Sequence, residues 1–426
     1  MKPATDFRNT WKISNAVAAL SGVAITLPLF GRIGSVPASV IAATISVFVF
    51  TIALSRFNFA HRPHCTSPVS LSASIVLAAL IFYAAHDEQY IFLMSPNSWG
   101  RHQDLYFESK LLMFTINFAP AMLITISTVT TLDRSSTMKM ICLGITTVSS
   151  AAAIRILLFH GSQLWGADYD KSVSFFYDGP GFSIVSYGIL LVMGSVAALN
   201  FRFGWMIAAI FLMCAVLLAR RVDSALIVLS VLTYYGWSFF SVKRAPAARS
   251  MIGFILLSAI LISMSINGHS ITYFENIEEG VVQRSSIVFP QENEAVDDHL
   301  SRLVDIWSPR GLGYLANGTL GGGHLYPHNL AIEVFYELGV VATIALAFII
   351  FSPLCMGLTN LKSLNPSQVL ACALLIVVMG LSLKAGDISN IGRLLFSAAI
   401  CEALLRSPPI KLTDPRMPMP FRHSGG

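Results

Sequence analysis

Residues 302–341 read RLVDIWSPRGLGYLANGTLGGGHLYPHNLAIEVFYELGVV, and within them a polar, glycine-rich stretch changes into a long apolar run. The apolar positions after the change follow helical spacing, at Leu330, Val334, Phe335 and Leu338. This stretch therefore predicts a loop that enters a membrane as a helix.

The composition of the whole chain agrees with a membrane location. Of its 426 residues, 54% are hydrophobic and 12% are charged, whereas a soluble domain has roughly a quarter of its residues charged. The 11% of aromatic residues and the long uncharged runs argue against disorder, collagen-like structure and coiled coils. We expect an all-α polytopic membrane protein.

Apolar runs bounded by charge, proline or glycine predict about 12 transmembrane helices. They cover residues 13–30, 36–54, 69–85, 111–131, 138–159, 180–199, 203–219, 224–242, 250–267, 330–352, 368–385 and 390–405. The first run is followed closely by another, so it is expected to stay as a helix rather than to be removed as a signal peptide. The predicted organisation is nine helices in residues 1–267, a large folded loop at 268–329, three helices in 330–405 and a tail at 406–426.

Basic residues predict the orientation of these helices. With both termini in the cytoplasm, 16 of the 28 lysines and arginines fall in cytoplasmic segments. Residues 268–327 contain eight acidic residues and three arginines, a formal charge of −5. We therefore expect this loop outside and the tail in the cytoplasm, with basic segments such as 243–249 contacting anionic membrane lipids.

The cysteine pattern gives no sign of a metal site or a disulfide. None of the six cysteines forms a CxxC pair, and none lies in the long outward loop. They are expected to be buried small hydrophobic residues. Asp168, Asp170 and Asp178 are spaced too loosely for a calcium loop, so we expect neither a metal nor a cofactor.

His328 and Asn329 stand where the tenth predicted helix begins. The positive end of a helix dipole disfavours the imidazolium form, so a histidine there is suited to act as a neutral base. The alternative interpretation is that His328 is a structural cap of the helix.

The pair belongs to a longer pattern: His328, Asn329, nine residues, Gly339, two residues and Ala342. It resembles the signature of the bacterial O-antigen ligase and O-antigen polymerase superfamily, in which Gly, Thr or Tyr is more frequent at the last position. Upstream, Arg302 and Gly313 resemble the arginine-to-glycine spacing of the family's catalytic outer loop.

Other site residues are implied by the same resemblance. The family keeps an arginine at the outer end between the seventh and eighth helices, where this chain has Arg220 and Arg221. The ligases have an aspartate in the short outer turn before the last helix, and Asp387 matches it beside Lys384. The expected catalytic residues are His328, Arg302 and Arg220. The expected substrate-binding residues are Arg221, Arg310, Asn329, Asp387 and Lys384.

The resemblance implies a C-type glycosyltransferase fold in the bacterial inner membrane, with the long loop in the periplasm. The implied reaction moves a glycan from undecaprenyl pyrophosphate to an acceptor hydroxyl, of lipid A core for a ligase or of a carrier-linked repeat for a polymerase. A ligase is favoured by Asp387 and by the single dominant loop after the ninth helix. Other polysaccharide-assembly membrane proteins are expected partners, and nucleic acid is not.

Two functions of other classes remain as alternatives: a lipid-glycan flippase or transporter, and a scaffold, for which His328→Ala would have no effect. A lipid-glycan flippase or transporter also has about 12 helices, but transporters are often built from two repeated halves, and this chain divides nine plus three. A metal-dependent sugar transferase would be expected to carry an acidic pair in its first outer loop. That loop here reads GRIGS over residues 31–35.

Overall fold

The structure is a computed structural model that describes residues 4–33, 36–55, 69, 72–76, 78, 118–129, 136–160, 184–218, 221–241, 244–265, 329–385 and 391–406. It is 93% helical. The helices are α1 Ala4–Thr26, α2 Ala38–Ser55, α3 Phe118–Val129, α4 Thr137–Arg155, α5 Ile184–Ala198, α6 Gly204–Leu217, α7 Arg221–Ser241, α8 Arg244–Ser265, α9 Leu330–Thr359, α10 Pro366–Ala385 and α11 Ile391–Arg406.

Short elements connect or extend some of these helices. A 3-10 turn, Leu27–Phe30, follows α1, and a second, Leu361–Ser363, joins α9 to α10. A two-stranded antiparallel ribbon pairs Arg32 with Pro37 and Ile33 with Val36 between α1 and α2. A π-helical turn, Ile156–His160, extends α4.

Five of the helices are long and apolar enough to cross a membrane. They are Ala38–Ser55, Thr137–Leu158, Val222–Phe239, Glu337–Thr359 and Pro366–Leu383. Shorter apolar helices are also present within α1, α3, α5, α6 and α8. The predictions of a helical fold and of a membrane protein are therefore supported, while the number of twelve crossings stays a prediction.

Helices α1 and α4 cross at a pair of glycines. A side chain at Gly22 would collide with the backbone carbonyl of Ile141, and one at Gly144 would collide with that of Ala19. Small residues at this crossing allow the two backbones to approach closely, as is common between helices in membranes. Ser136 of the turn before α4 donates a hydrogen bond to Asn15 Oδ1 of α1 at 2.7 Å.

The helices α4 to α11 alternate in direction. Short connections join α5 to α6, α6 to α7, α7 to α8, α9 to α10 and α10 to α11, and the two helices of each pair pack together. Helices α4 and α5 are also antiparallel, because Ser149 donates to the carbonyl of Leu190 while Arg155 contacts Tyr187. Helix α10 packs against α5, α7, α9 and α11, and so lies at the centre of this part of the bundle.

This alternation defines two ends of the bundle. Helix α8 ends before the long loop and α9 begins after it. We call the end of the bundle that contains these two helix ends the long-loop end. The Leu361–Ser363 turn lies at the opposite end. Gln368, early in α10, donates from Nε2 to the carbonyl of Leu404, late in α11, at 3.0 Å, which places these two residues together at the opposite end.

The cysteines differ from one another in their surroundings. Cys142, Cys214 and Cys401 are buried, as predicted, whereas Cys355 is exposed. The sulfur atoms of Cys372 and Cys401 lie 3.5 Å apart between α10 and α11. Cys65 lies outside the described residues.

The orientation can be tested with single cysteines in a background from which the native cysteines have been removed. We expect Glu292→Cys, in the long loop, to react from outside with an impermeant thiol reagent, and Leu361→Cys, 47% exposed at the opposite end, to be protected. Labelling is measured in intact cells and again after permeabilisation, when both should react. Equal labelling of the two positions in intact cells would contradict the topology.

Candidate functional site at the long-loop end

The predicted site residues fall into three groups. Asn329 is described with its side chain, and Arg221 and Lys384 are described by their backbone positions in α7 and α10. His328, Arg302, Arg310, Arg220 and Asp387 lie outside the described residues. Three of these five, His328, Arg220 and Asp387, stand within two residues of a described residue in the sequence.

The helix ends beside these three residues meet at the long-loop end of the bundle. A side chain added at Gly380, near the end of α10, would lie 3.5 Å from Leu226, near the start of α7. Helix α9 packs against both α10 and α11, so its start lies at the same end as the last turn of α10 and the first turn of α11. The residues that adjoin the predicted site, Arg221, Asn329, Lys384 and Ile391, thus share one end.

Asn329 is the N-cap of α9. Its backbone is extended (φ −134°, ψ 112°), and its side-chain Oδ1 accepts hydrogen bonds from the backbone N–H groups of Ala331 at 3.0 Å and Ile332 at 3.2 Å. An asparagine in this geometry satisfies N–H groups that have no partner inside the helix. The N-cap of α9 is therefore Asn329, the residue after His328, and the interpretation of His328 as a structural residue stays open because His328 lies outside the described residues.

A break at Gly339 divides α9 into two parts. Gly339 is buried and has φ 83° and ψ −179°, a backbone conformation that is essentially restricted to glycine. The hydroxyl of Thr343 donates to the carbonyl of Gly339 at 3.0 Å. The predicted continuous helix 330–352 is instead a short helix, 330–338, followed by a longer one that reaches Thr359. The His328-to-Gly339 pattern therefore spans the short helix, with Asn329 capping its start and Gly339 ending it.

Replacing Gly339 should damage the protein more than replacing a glycine in a regular helix. We expect Gly339→Ala to lower stability by roughly 1–3 kcal/mol, because a Cβ is strained at φ 83°. Gly236→Ala in α7 is the matched control, since its new Cβ would meet nothing within 4 Å, and alanine is favoured over glycine in a helix by up to about 1 kcal/mol. Thermal unfolding of the two purified variants measures the difference, and equal stability would contradict the break.

Three buried carboxylates accompany this end of the bundle. Asp223, in the first turn of α7, and Glu333 and Glu337, in the short helix of α9, are each 0% exposed. The two glutamates lie on the same helical face as Val334 and Leu338, which are also buried. A buried carboxylate is costly unless hydrogen bonds or a cation stabilise it, and each of the three has an interaction partner. Because both glutamates are fully buried, they do not form a solvated face of the helix.

A half-buried arginine adds a cation to the same end. Arg393 lies in the first turn of α11 and has interaction partners of its own. Among the residues that the structure describes, no group of three or more His, Cys, Asp or Glu side chains could hold a metal ion. The described charged side chains at this end therefore include the buried carboxylates and Arg393.

No protein-family model, curated protein or solved structure matches the chain. The resemblance to the O-antigen ligase and polymerase superfamily is carried by the sequence pattern from His328 to Gly339 and by Arg302 with Gly313. Two residues of the first pattern, Asn329 and Gly339, are the two at which the backbone departs from regular helix.

Proposed function

We propose that this chain is an O-antigen ligase-like glycosyltransferase of the bacterial inner membrane. It transfers a polysaccharide from undecaprenyl pyrophosphate to a sugar hydroxyl of lipid A core on the periplasmic face. The observation that carries the proposal is the structure of the His328-to-Gly339 pattern. An N-cap at Asn329 and a glycine-specific break at Gly339 delimit a nine-residue helix with two buried glutamates. A helix that only crossed the membrane would need neither the break nor the buried carboxylates.

In this proposal His328 is the general base. It removes the proton from the acceptor hydroxyl, whose oxygen attacks the anomeric carbon of the donor glycan. The bond from that carbon to the pyrophosphate oxygen breaks, and undecaprenyl pyrophosphate leaves with the electron pair. The position of the N-cap supports this role, because Asn329 directly follows His328 in the sequence. A histidine at the N-terminus of a helix is favoured in its neutral form by the positive end of the helix dipole.

Arginines bind the leaving pyrophosphate in this proposal. The charge on its oxygens grows as the carbon–oxygen bond breaks, and a guanidinium can donate two parallel hydrogen bonds to them. Arg302 and Arg220 take this role, with Arg221, Arg310 and Lys384 close to the donor or acceptor. The loop carries a net formal charge of −5, so individual arginines rather than the overall field hold the donor.

The buried carboxylates support a cationic site at this end. Asp223 is two residues after Arg221, and Glu333 is four residues after Asn329. Buried carboxylates at this end can orient guanidinium groups as partners in fixed hydrogen bonds. Asn329 and Asp387 are then left to contact sugar hydroxyls.

The carrier-linked glycan in a strain that lacks this chain tests the proposal. Loss of a ligase should leave long polysaccharide chains attached to the carrier and lipid A core without polysaccharide. Accumulation of single carrier-linked repeats would instead identify a polymerase. Retention of the carrier-linked glycan on the cytoplasmic side would identify a flippase. The glycan is released by mild acid, sized by mass spectrometry and compared with that of the complemented strain.

A further inference from the structure

Two cysteines that are distant in the sequence meet between α10 and α11. Cys372 lies in the second turn of α10, and Cys401 lies near the end of α11, 29 residues later. Their Sγ atoms are 3.5 Å apart, within hydrogen-bonding distance for a thiol and a sulfur acceptor. No CxxC spacing indicates this pair, because the two cysteines come together only when α10 packs antiparallel against α11.

A hydrogen bond beside the sulfur atoms fixes how the two helices align. Gln368, one turn before Cys372, donates from Nε2 to the carbonyl of Leu404 at 3.0 Å. Leu404 lies three residues after Cys401 in α11. The side chain of Gln368 is itself held at the start of α10, since its Oε1 accepts from the N–H of Asn365 at 2.9 Å. The close approach of the two sulfur atoms is therefore set by specific polar contacts as well as by apolar packing.

The two sulfur atoms differ in their access to small molecules. Cys372 is partly exposed, whereas Cys401 is 0% exposed. Cys372 is six residues after Pro366, the first residue of α10, which places it about 9 Å along the helix at 1.5 Å per residue. A small oxidant therefore reaches Cys372 first, close to a helix end. An accessible thiol next to a second, resolving thiol is the arrangement typical of redox-sensing cysteines.

We propose that Cys372 and Cys401 are a redox-active pair that hydrogen peroxide converts into a disulfide joining α10 to α11. The thiolate of Cys372 attacks one oxygen of the peroxide, the O–O bond breaks, and the other oxygen leaves as hydroxide, which takes up the proton released by Cys372. The sulfur of Cys401 then attacks the sulfenic acid on Cys372, the S–S bond forms, and the hydroxyl leaves as water with the proton of Cys401. The two thiols together lose two electrons, and one hydrogen peroxide is reduced to two molecules of water.

The disulfide connects two helices that are already connected at their other ends. Residues 386–390 link α10 to α11 at the long-loop end, and the new bond links them near the opposite end. The oxidised protein therefore has these two helices fixed to each other at both ends. In the predicted orientation the disulfide lies near the cytoplasm, where such bonds are usually transient and redox-sensing. The inference does not depend on glycosyl transfer.

The test is peptide mapping of the full-length chain after treatment of membranes with hydrogen peroxide. Free thiols are blocked with N-ethylmaleimide, and the protein is digested with trypsin without reduction. Cys372 falls in the tryptic peptide 363–384 and Cys401 in 394–406, and neither peptide contains another cysteine. Mass spectrometry should find the two peptides linked in most chains and separate again after dithiothreitol.

Two variants show whether the linkage requires this pair. In Cys401→Ser, Cys372 has lost the resolving thiol and should be oxidised further to sulfinic acid. Cys355→Ser is the matched control, because it removes an exposed cysteine of α9 and should leave the linked peptide unchanged. The oxidised unchanged protein should also unfold about 5 °C higher than the reduced protein, and Cys401→Ser should show no such rise.

The outcome that would overturn the proposal is also read from the peptide map. Cys372 and Cys401 that stay as thiols at a peroxide dose that oxidises Cys355 are not a redox-active pair. Linkage of Cys372 to any cysteine other than Cys401, or its conversion to sulfinic acid in the unchanged protein, would contradict the assigned partner. If Cys401→Ser does not fold, as judged by its thermal unfolding, the map of the unchanged protein still decides the question, since it requires no substitution.

Discussion

His328→Ala is expected to reduce the rate of glycan transfer by about 10²–10⁴-fold while leaving donor binding intact. In the proposed mechanism, the imidazole accepts the proton of the acceptor hydroxyl and does not bind the glycan donor, so its removal should slow transfer without weakening donor binding. The rate of the unchanged protein should rise with pH, because a general base works only in its unprotonated form. Single-turnover transfer by purified protein measures both effects.

The structure adds an expected result for a second variant, His328→Asn. Because Asn329 holds the capping position, His328→Asn offers no new cap for α9 and should be as inactive as His328→Ala. His324→Ala, four residues upstream in the same loop, serves as the control and should keep near-normal turnover. Full activity of His328→Asn, or a rate independent of pH, would exclude a general base at this position.

Arg302→Ala is expected to reduce glycan transfer by about 10²–10³-fold. In the proposed site, the substitution removes a guanidinium whose hydrogen bonds stabilise the negative charge that develops on the pyrophosphate in the transition state. Arg302→Lys should recover part of the loss, since an ammonium keeps the charge but cannot reproduce the two parallel hydrogen bonds of a guanidinium. Arg220→Ala should behave like Arg302→Ala. Comparison of Arg220→Ala with Arg221→Ala determines which of the adjacent arginines meets the donor.

The loop contains its own control for this prediction. Arg284 lies outside both family patterns, and Arg284→Ala should transfer glycan at the normal rate. Expression and the thermal unfolding of each variant are measured alongside turnover, since the arginines are proposed to contact pyrophosphate and not the core. Full activity of both Arg302→Ala and Arg302→Lys with purified donor would exclude the pyrophosphate role.

The position of α10 and the start of α9 could be predicted from the sequence, because strong local signals stand at the ends of these apolar runs. The predicted run 368–385 corresponds to α10, which ends at Ala385 before the turn containing Asp387. The predicted start at Leu330 is the first residue of α9, with Asn329 as its cap. Charge, proline and capping residues act locally, so one sequence is enough to locate them.

The internal arrangement of the bundle could not be read in the same way. Helices in a membrane are apolar on the faces that meet lipid as well as on those that meet protein, so periodicity does not identify the inner face. Nothing in the sequence indicated that α10 packs against α5 and α7, or that Glu333 and Glu337 face the interior. Gly339 was recognised as part of a pattern but not as a break, because glycine is frequent in membrane helices without interrupting them.

The central place of α10 has a consequence for how the chain is made. A membrane protein is synthesised from its N-terminus, and α10 comes much later in the chain than α5 and α7, yet both of these helices pack against it. While residues 366–385 are still to be inserted, those two helices must present to lipid, or to an insertion chaperone, the faces that α10 later covers. The bundle is thus completed only when α10, a central helix, is inserted between helices made earlier. Nascent chains stalled before residue 366 should therefore be degraded selectively by membrane quality-control proteases.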